Sequence, residues 1–351
     1  MQLFESSLKN RSIKTVLSII IIFYFILFIN AAYAQALGQR YGLLIGGLSG
    51  TEAHREKFHR YLRETREILI NRFQFPEKNI VVLADTCSPE ESFIDDISNA
   101  ENIEAVFSHL SDKITEEDDL FVILFGHGSY DGKNAMLNIP QRDLKDGDYA
   151  GFLTDLRAHR IVFINTASCS GPFVQTLSAP NRVIITATHS GGERIETVFP
   201  MFLVSAMRES GADLDKNGDL TLLEVFDFAS QSTVKYYTEK DQLATEHALL
   251  EDTGDRIGCR VEELSESSEG ELARTIFLLR LASFLATSTT DSISLSLLRE
   301  REAVSDEIDQ LRAEKENYQE YIYFSRLEPL FVRLARINDE LERLEESVQK
   351  D

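Results

Sequence analysis

Short, almost purely apolar runs alternate along the chain with longer charged segments that carry apolar residues at helical spacing. The apolar runs predict five β-strands, over 41–46, 79–84, 120–126, 160–165 and 182–188. The segments between them predict helices over 51–73, 101–115 and 195–209. Continuous Val, Ile and Leu runs separated by helices are typical of a parallel sheet covered on both faces. We therefore predict an α/β domain over 40–285, a three-layer sandwich with a mostly parallel sheet.

The C-terminal segment has a different pattern, rich in Glu, Arg and Leu. After Pro329, which suits the first turn of a new helix, six apolar residues follow a 4-3-4-3-4 spacing. They are Leu330, Leu334, Ile337, Leu341, Leu344 and Val348. A less regular stripe precedes them, formed by Val304, Ile308, Leu311, Tyr318 and Ile322. This heptad seam predicts a helical coiled-coil hairpin over 291–350. Its apolar side would self-associate or bind a partner helix or the α/β domain, and a solvated charged appendage is the alternative.

Residues 1–34 are typical of a targeting segment. Three basic residues precede a 14-residue apolar run, and "AYA" then matches the cleavage pattern of a secretory signal peptide. The alternative is an uncleaved N-terminal anchor formed by residues 16–34, which approach the length that spans a bilayer. We expect a secreted or periplasmic protein, or one tethered to a membrane by that segment.

The net charge and the number of cysteines disfavour several classes of protein. The formal net charge of −22 disfavours binding to nucleic acid or to anionic lipid. Three cysteines are too few for a disulfide scaffold. A pairing of Cys87 with Cys259 is left open, and it would leave Cys169 alone.

Two predicted strands end in motifs that can carry chemistry. The strand over 120–126 leads into His127, which is flanked by glycines, and the strand over 160–165 leads into "SCSG", which contains Cys169. Ligands of parallel sheets bind beyond the carboxyl ends of the strands. An imidazole there can move protons while a thiolate attacks a carbonyl carbon, and the N–H groups of Gly128 and Cys169 could hold the resulting oxyanion. The alternative is a packed core histidine beside an inert cysteine.

This pair of motifs resembles the caspase-fold cysteine peptidases, and in particular their legumain-like branch, over residues 40–260. The resemblance implies that His127 is the general acid/base, Cys169 the nucleophile and Gly128 an oxyanion donor. The supporting asparagine of that family would fall near Ser49, and the glutamate of its asparagine-selective pocket would fall at Ala167. Both positions depart from the family, so asparagine specificity is not implied.

A further pocket residue is Glu193, because "HSGGER" follows the fifth predicted strand and should line the same cleft. As a free carboxylate, Glu193 would favour a basic substrate side chain, but solvation or pairing with Arg194 is equally open. We expect a cysteine endopeptidase that hydrolyses peptide bonds through a thioester. The alternatives are a non-catalytic scaffold that recruits partners through its coiled coil, and a transamidase with the same two residues.

Residues 213–224, "DLDKNGDLTLLE", match a calcium-binding loop. Asp213, Asp215 and Asn217 occupy positions one, three and five, and Glu224 occupies position twelve. The Asp219 carbonyl would be a further ligand, and one structural calcium ion is expected. The alternative is a turn followed by a capping box between Thr221 and Glu224. We interpret the acidic turn "EDTGD" at 251–255 as solvated.

Overall fold

The structure is a computed structural model that describes residues 38–279 and 318–348, with positions 293, 296–297, 300–301, 303–304, 307–308 and 311 between them. The predicted signal peptide or anchor, residues 1–34, lies outside the described residues. The strands are β1 (Arg40–Gly46), β2 (Ile80–Ala84), β3 (Asp96–Ile97), β4 (Asp119–Phe125), β5 (Gly128–Tyr130), β6 (Ala135–Leu137), β7 (Leu144–Lys145), β8 (Arg160–Asn165), β9 (Arg182–Thr186), β10 (Leu220–Thr221), β11 (Leu249–Glu251) and β12 (Phe277–Leu279). The α-helices are α1 (Glu52–Asn71), α2 (Ala100–Lys113), α3 (Asp146–Thr154), α4 (Pro172–Leu177), α5 (Phe199–Arg208), α6 (Leu222–Glu239), α7 (Glu271–Thr275) and α8 (Glu320–Val348).

Seven strands form one sheet in the order β11-β9-β8-β4-β1-β2-β3. All neighbouring pairs are parallel except β11 and β9, which are antiparallel. The prediction of an α/β domain with a mostly parallel sheet is confirmed. The five predicted strands are β1, β2, β4, β8 and β9, whereas the short edge strands β3 and β11 were not predicted.

Each face of the sheet buries its own apolar cluster, because neighbouring residues of a strand point to opposite faces. Leu44, Phe121 and Val162 share one cluster with Leu62 of α1, Leu203 of α5 and Phe226 of α6. Leu43, Val122 and Phe163 share the other with Phe107 of α2, Tyr149 of α3 and Phe173 of α4. Truncating one of these buried phenylalanines to alanine typically costs about 3–5 kcal/mol. These strands therefore form a rigid base for the loops at their carboxyl ends.

Two smaller sheets lie beside the central one. β5, β6 and β7 form an antiparallel sheet directly after β4, so a strand begins at the residue that follows His127. β10, inside the predicted calcium loop, pairs with β12. Neither small sheet was predicted, because strands of two or three residues give little periodicity.

The C-terminal helix α8 runs from Glu320 to Val348 with Pro329 inside it. The prediction that a new helix begins at Pro329 is therefore wrong. The described positions between 293 and 311 are also helical, and Val304, Ile308 and Leu311 pack with apolar residues of α8 in one buried cluster. The coiled-coil hairpin over 291–350 stays a prediction. Among the described residues, no helix combines the length and apolar character that crossing a bilayer requires.

Candidate active site

The central strands bring His127 and Cys169 to the same edge of the sheet. β4 and β8 are neighbours and parallel, with Leu124 opposite Asn165 in the register. His127 follows the end of β4, and Cys169 follows the end of β8. Since carboxyl ends of adjacent parallel strands open on one side, both side chains lie where such sheets bind ligands.

Close contact between Gly128 and Ser168 joins the two motifs. A Cβ atom on Gly128 would lie 2.1 Å from the Ser168 carbonyl oxygen, which is far inside van der Waals contact. The Gly128 N–H donates to Ser168 Oγ at 3.2 Å, and that hydroxyl lies equally far from the Gly128 carbonyl oxygen. Glycine is therefore required beside His127 for the backbone to reach the residue that precedes Cys169.

Cys169 is held in an uncommon backbone conformation. Its φ is +58°, a left-handed value that non-glycine residues adopt rarely and that clusters at functional sites. Its N–H donates to the Glu193 carbonyl at 2.8 Å. The thiol side chain is buried, and burial raises its pKa against a smaller, opposite effect of Arg194. In this state the sulfur is a protonated thiol at neutral pH.

The His127 ring packs against α1. Its centroid lies 4.6 Å from the ring of His54 and 5.2 Å from that of Phe58, both in edge-on geometry. Burial lowers the pKa of His127, and the nearby His54 and Lys57 lower it further. The imidazole is therefore neutral at pH 7, which suits a group that accepts a proton.

The oxyanion donors differ from the expectation. The Gly128 N–H is bonded to Ser168 Oγ and the Cys169 N–H to the Glu193 carbonyl. Both N–H groups are thus satisfied within the protein, and neither points free into a cleft. A substrate oxyanion would have to displace these two acceptors.

The three predicted pocket residues, Ser49, Ala167 and Glu193, are largely engaged in contacts within the protein. Ser49 is buried and its N–H donates to Asp85 Oδ2 at 3.0 Å, whereas the described ring contacts of His127 are with residues of α1. Ala167 belongs to a buried apolar cluster. Glu193 is paired with His247, with 2.5 Å between Oε1 and Nδ1, and not with Arg194. Its carboxylate also accepts the N–H of His189 at 2.7 Å, so it is not a free anionic pocket.

Sequence reasoning missed three residues around His127, namely His54, Phe58 and Glu196. His54 Nε2 lies 3.4 Å from Glu196 Oε2, and Lys57 forms an ion pair with the other oxygen of that carboxylate. One feature of the sequence indicates that α1 begins close to His127. The N-cap of α1, Thr51, follows β1 closely, and the carboxyl end of β1 lies beside that of β4.

The loop at 213–224 collects the oxygen atoms that a hard cation prefers. Carboxylate oxygens of Asp213, Asp215 and Glu224 lie within 4.8 Å of one another. Burial, followed by the charges of Glu224 and Asp215, raises the pKa of Asp213 to about 7. The pKa of Glu224 is raised as well, chiefly by burial. Three converging carboxylates therefore repel one another unless a proton or a cation lies among them.

The capping box that was the alternative is also present. Thr221 Oγ1 accepts the Glu224 N–H at 3.2 Å, and Glu224 Oε2 accepts the Thr221 N–H at 2.9 Å. The two explanations are thus compatible, because Glu224 Oε1 faces the loop and accepts the Leu214 N–H at 3.2 Å.

The C-terminal segment reaches this loop through Arg301, which is almost fully buried. Its guanidinium donates to the Asn217 carbonyl and, at 2.7 Å, to Asp219 Oδ1. Asn338 of α8 donates to the Lys216 carbonyl at 2.8 Å. A cleft of about 640 Å³ lies between the loop and α8.

Two further expectations concern acidic and sulfur-containing residues. The turn at 251–255 is not solvated as expected, because Glu251 and Asp252 are buried. Asp252 accepts the N–H groups of Gly270 and Ala273, each at 2.8 Å, so the turn is part of the packed domain. Cys87 and Cys259 are both free in this structure, as is Cys169.

Comparison with models of known protein families gave no match, and comparison with curated proteins gave none. The function of this chain is therefore inferred from its residues and their geometry.

Proposed function

We propose that the protein is a cysteine endopeptidase of the caspase-fold, legumain-like type, with Cys169 as nucleophile and His127 as general acid/base. The observation that carries the proposal is the parallel pairing of β4 with β8, because it opens both motifs on one side of the sheet. The close contact of Gly128 with Ser168 supports it. The left-handed φ of Cys169 is a second support.

The reaction would begin when the His127 imidazole takes the thiol proton and the sulfur attacks the carbonyl carbon of a peptide. The tetrahedral oxyanion collapses to a thioester as the amine leaves with the proton from His127. Water, deprotonated by the same imidazole, then releases the carboxylic acid and the thiol. In the alternative transamidase function an amine replaces water, and in the scaffold function neither step occurs.

A thiol labelling experiment tests the proposal. Wild-type protein, with and without calcium, is treated with peptide electrophiles that carry a range of side chains next to the reactive group, and the modified residue is located by mass spectrometry. Selective, saturable labelling of Cys169 is expected. Cys169→Ala should abolish labelling and proteolysis, and His127→Ala should keep the fold but react at least about 100-fold more slowly.

Cys87→Ser is the matched control, because Cys87 is the exposed thiol and its loss should leave the saturable labelling intact. Absence of any Cys169 modification across the whole panel would favour the scaffold function. Amine-linked products formed in the presence of nucleophilic peptides would favour the transamidase.

For the loop at 213–224 we propose one structural calcium ion. Side chains of Asp213, Asp215, Asn217 and Glu224 would hold it, together with the Asp219 carbonyl. The proposal is supported by the convergence of three carboxylates whose mutual repulsion a divalent cation would relieve. The ion would steady the start of α6, which begins inside the loop.

For residues 291–350 we propose the coiled-coil hairpin, and for residues 1–34 a cleaved signal peptide or a membrane tether. The shared apolar cluster of Val304 and Ile308 with α8 supports the hairpin. Light scattering of the protein with and without residues 291–351 would tell a self-associating hairpin from one that packs only on its own domain.

A further inference from the structure

A second group of metal-ligand side chains lies beside His127, apart from the calcium loop. The ligand atoms of His54, His127 and Glu196 all lie within 4.8 Å of one another. They come from three different segments: the first turn of α1, the turn after β4, and the loop before α5. Such convergence of two imidazoles and a carboxylate is not explained by the peptidase chemistry, which requires only His127.

The donor set suits zinc better than calcium. Two histidines and one carboxylate are a common zinc ligand set, with bonds of about 2.0–2.2 Å and a fourth, open position. In a tetrahedron with such bonds the ligand atoms are about 3.3–3.5 Å apart. His54 Nε2 and Glu196 Oε2 are 3.4 Å apart, so this pair already has the required separation. Calcium and magnesium prefer all-oxygen sites.

The Thr51 hydroxyl orients the His54 ring by a contact with its second ring nitrogen, Nδ1. This Nδ1 atom lies 3.0 Å from the Thr51 hydroxyl, which also accepts the His54 N–H at the start of α1. An Nδ1–H donated to Thr51 leaves the Nε2 lone pair facing Glu196. A hydrogen bond to the second ring nitrogen is how proteins orient histidines that bind metals.

The Glu196 carboxylate already binds one cationic side chain. The Lys57 ammonium forms an ion pair with Glu196 Oε1, on the carboxylate oxygen that does not face His54. A bound divalent cation would loosen this ion pair, because it repels the ammonium and shares the carboxylate. Binding should therefore be weaker than in a site without a competing lysine.

We propose that His54, His127 and Glu196 form a transition-metal site, with zinc as the expected ion, and that its occupancy inactivates the peptidase. A metal bound to His127 takes the lone pair that would otherwise accept the thiol proton. Cys169 is not a ligand in this proposal, since its sulfur is not among the ligand atoms that converge here. The inhibitory consequence depends on the proposed function, but the binding itself does not.

Binding is tested by calorimetric titration of the full protein with Zn²⁺ in excess Ca²⁺, so that the calcium loop is saturated. One site is expected. His54→Ala and Glu196→Gln should each weaken it by at least about tenfold, as losing a ligand should cost no less than losing its hydrogen-bonded support. His109→Ala, which removes an exposed histidine of α2, is the matched control and should leave affinity unchanged.

Cobalt substitution shows which atoms bind. Co²⁺ in this site should give visible d–d absorption without a sulfur-to-cobalt charge-transfer band, and Cys169→Ala should bind it as wild type does. A charge-transfer band that disappears in Cys169→Ala would overturn the proposal in favour of a thiolate site. Equal Zn²⁺ affinity in wild type, His54→Ala and Glu196→Gln would overturn it as well.

Inhibition by zinc is measured as the change in the labelling rate of Cys169 with and without saturating Zn²⁺. Wild type should lose reactivity at least about tenfold, and His54→Ala should lose little relative to its own metal-free rate. Binding without any labelling at Cys169 would refute the peptidase function and leave the metal site standing. Labelling that Zn²⁺ does not slow, despite full occupancy, would refute the inhibitory role.

Discussion

The substitution Glu224→Gln separates the calcium site from the capping box that shares its residues. Glutamine keeps the box, because its amide oxygen can still accept the Thr221 N–H at the start of α6. Glutamine lacks the negative charge and the bidentate carboxylate that position twelve supplies to calcium. We therefore expect Glu224→Gln to keep most of the metal-free stability, apart from the hydrogen bond to the Leu214 N–H, and to lose most of the stabilisation by calcium.

The size of the calcium effect follows from Asp213. Its pKa is raised to about 7 in the metal-free fold, against about 3.9 for an unfolded aspartate. Between these values the folded state holds a proton that the unfolded state has lost, so stability falls as pH rises from about 4 to 7. Three pKa units correspond to about 4 kcal/mol, and we take about half because the residue is only half-buried.

Calcium would replace that proton and remove the penalty. About two of the three units fall between pH 5 and pH 8, so the ion should stabilise the protein by about 1.3 kcal/mol more at pH 8 than at pH 5. For a domain of this size, 1 kcal/mol shifts Tm by about 2–4 °C. The difference between the calcium and chelator Tm values should thus be about 3–5 °C larger at pH 8 than at pH 5.

Scanning calorimetry of wild type, Glu224→Gln and Asp227→Asn at both pH values measures this directly. Asp227 is the matched control, since it lies on α6 beside the same cleft but outside the loop. Asp227→Asn should behave as wild type does. Identical Tm values with calcium and with excess chelator would refute the calcium site, and a pH-independent calcium effect would refute the role given to Asp213.

Three further predictions concern the candidate active site and the contact with the C-terminal segment. Because burial raises the pKa of Cys169 and lowers that of His127, the labelling rate should keep rising with pH through the ordinary thiol range. A plateau already reached near pH 6 would instead reveal a thiolate–imidazolium pair. Ser168→Ala frees the Gly128 N–H and should raise the rate up to about fivefold, the equivalent of about 1 kcal/mol; a large loss would show that the hydroxyl is required. Arg301→Met should lower the free energy of unfolding, measured in urea, by about 1–3 kcal/mol. Unchanged stability would show that the contact of Arg301 with the loop does not stabilise the fold.

The central strands could be predicted from the sequence because both of their faces are buried. A strand such as β4 is apolar at every position after Asp119, so its bounds were predicted within one residue. The motifs follow those strands directly, which is why the shared edge of His127 and Cys169 could also be anticipated. Edge strands such as β3 lack this signal, since two residues bury little.

Contacts made over long sequence separations could not be predicted. Glu193 was expected to line a pocket, but its carboxylate lies within hydrogen-bond distance of His247, 54 positions away in the chain. The position of Glu196 beside His54 depends in the same way on how the loop before α5 folds back on α1. The prediction that a new helix begins at Pro329 was wrong for a different reason. Local propensity disfavours proline inside a helix, but packing of α8 against its neighbours outweighs that preference.

The segment 189–198 contacts two groups of the candidate site, the Cys169 N–H and the cluster around His127. The carbonyl of Glu193 occupies the Cys169 N–H, and Glu196 lies within metal-ligand reach of His127. The segment rests on Tyr130, whose ring leaves no room for a side chain at Gly191. Arg194 also donates to the Tyr130 carbonyl at 3.2 Å. Since these contacts belong to one short segment, its displacement would free the Cys169 N–H and loosen the His127 cluster together. Access to both groups therefore depends on the position of this loop, which Tyr130 supports.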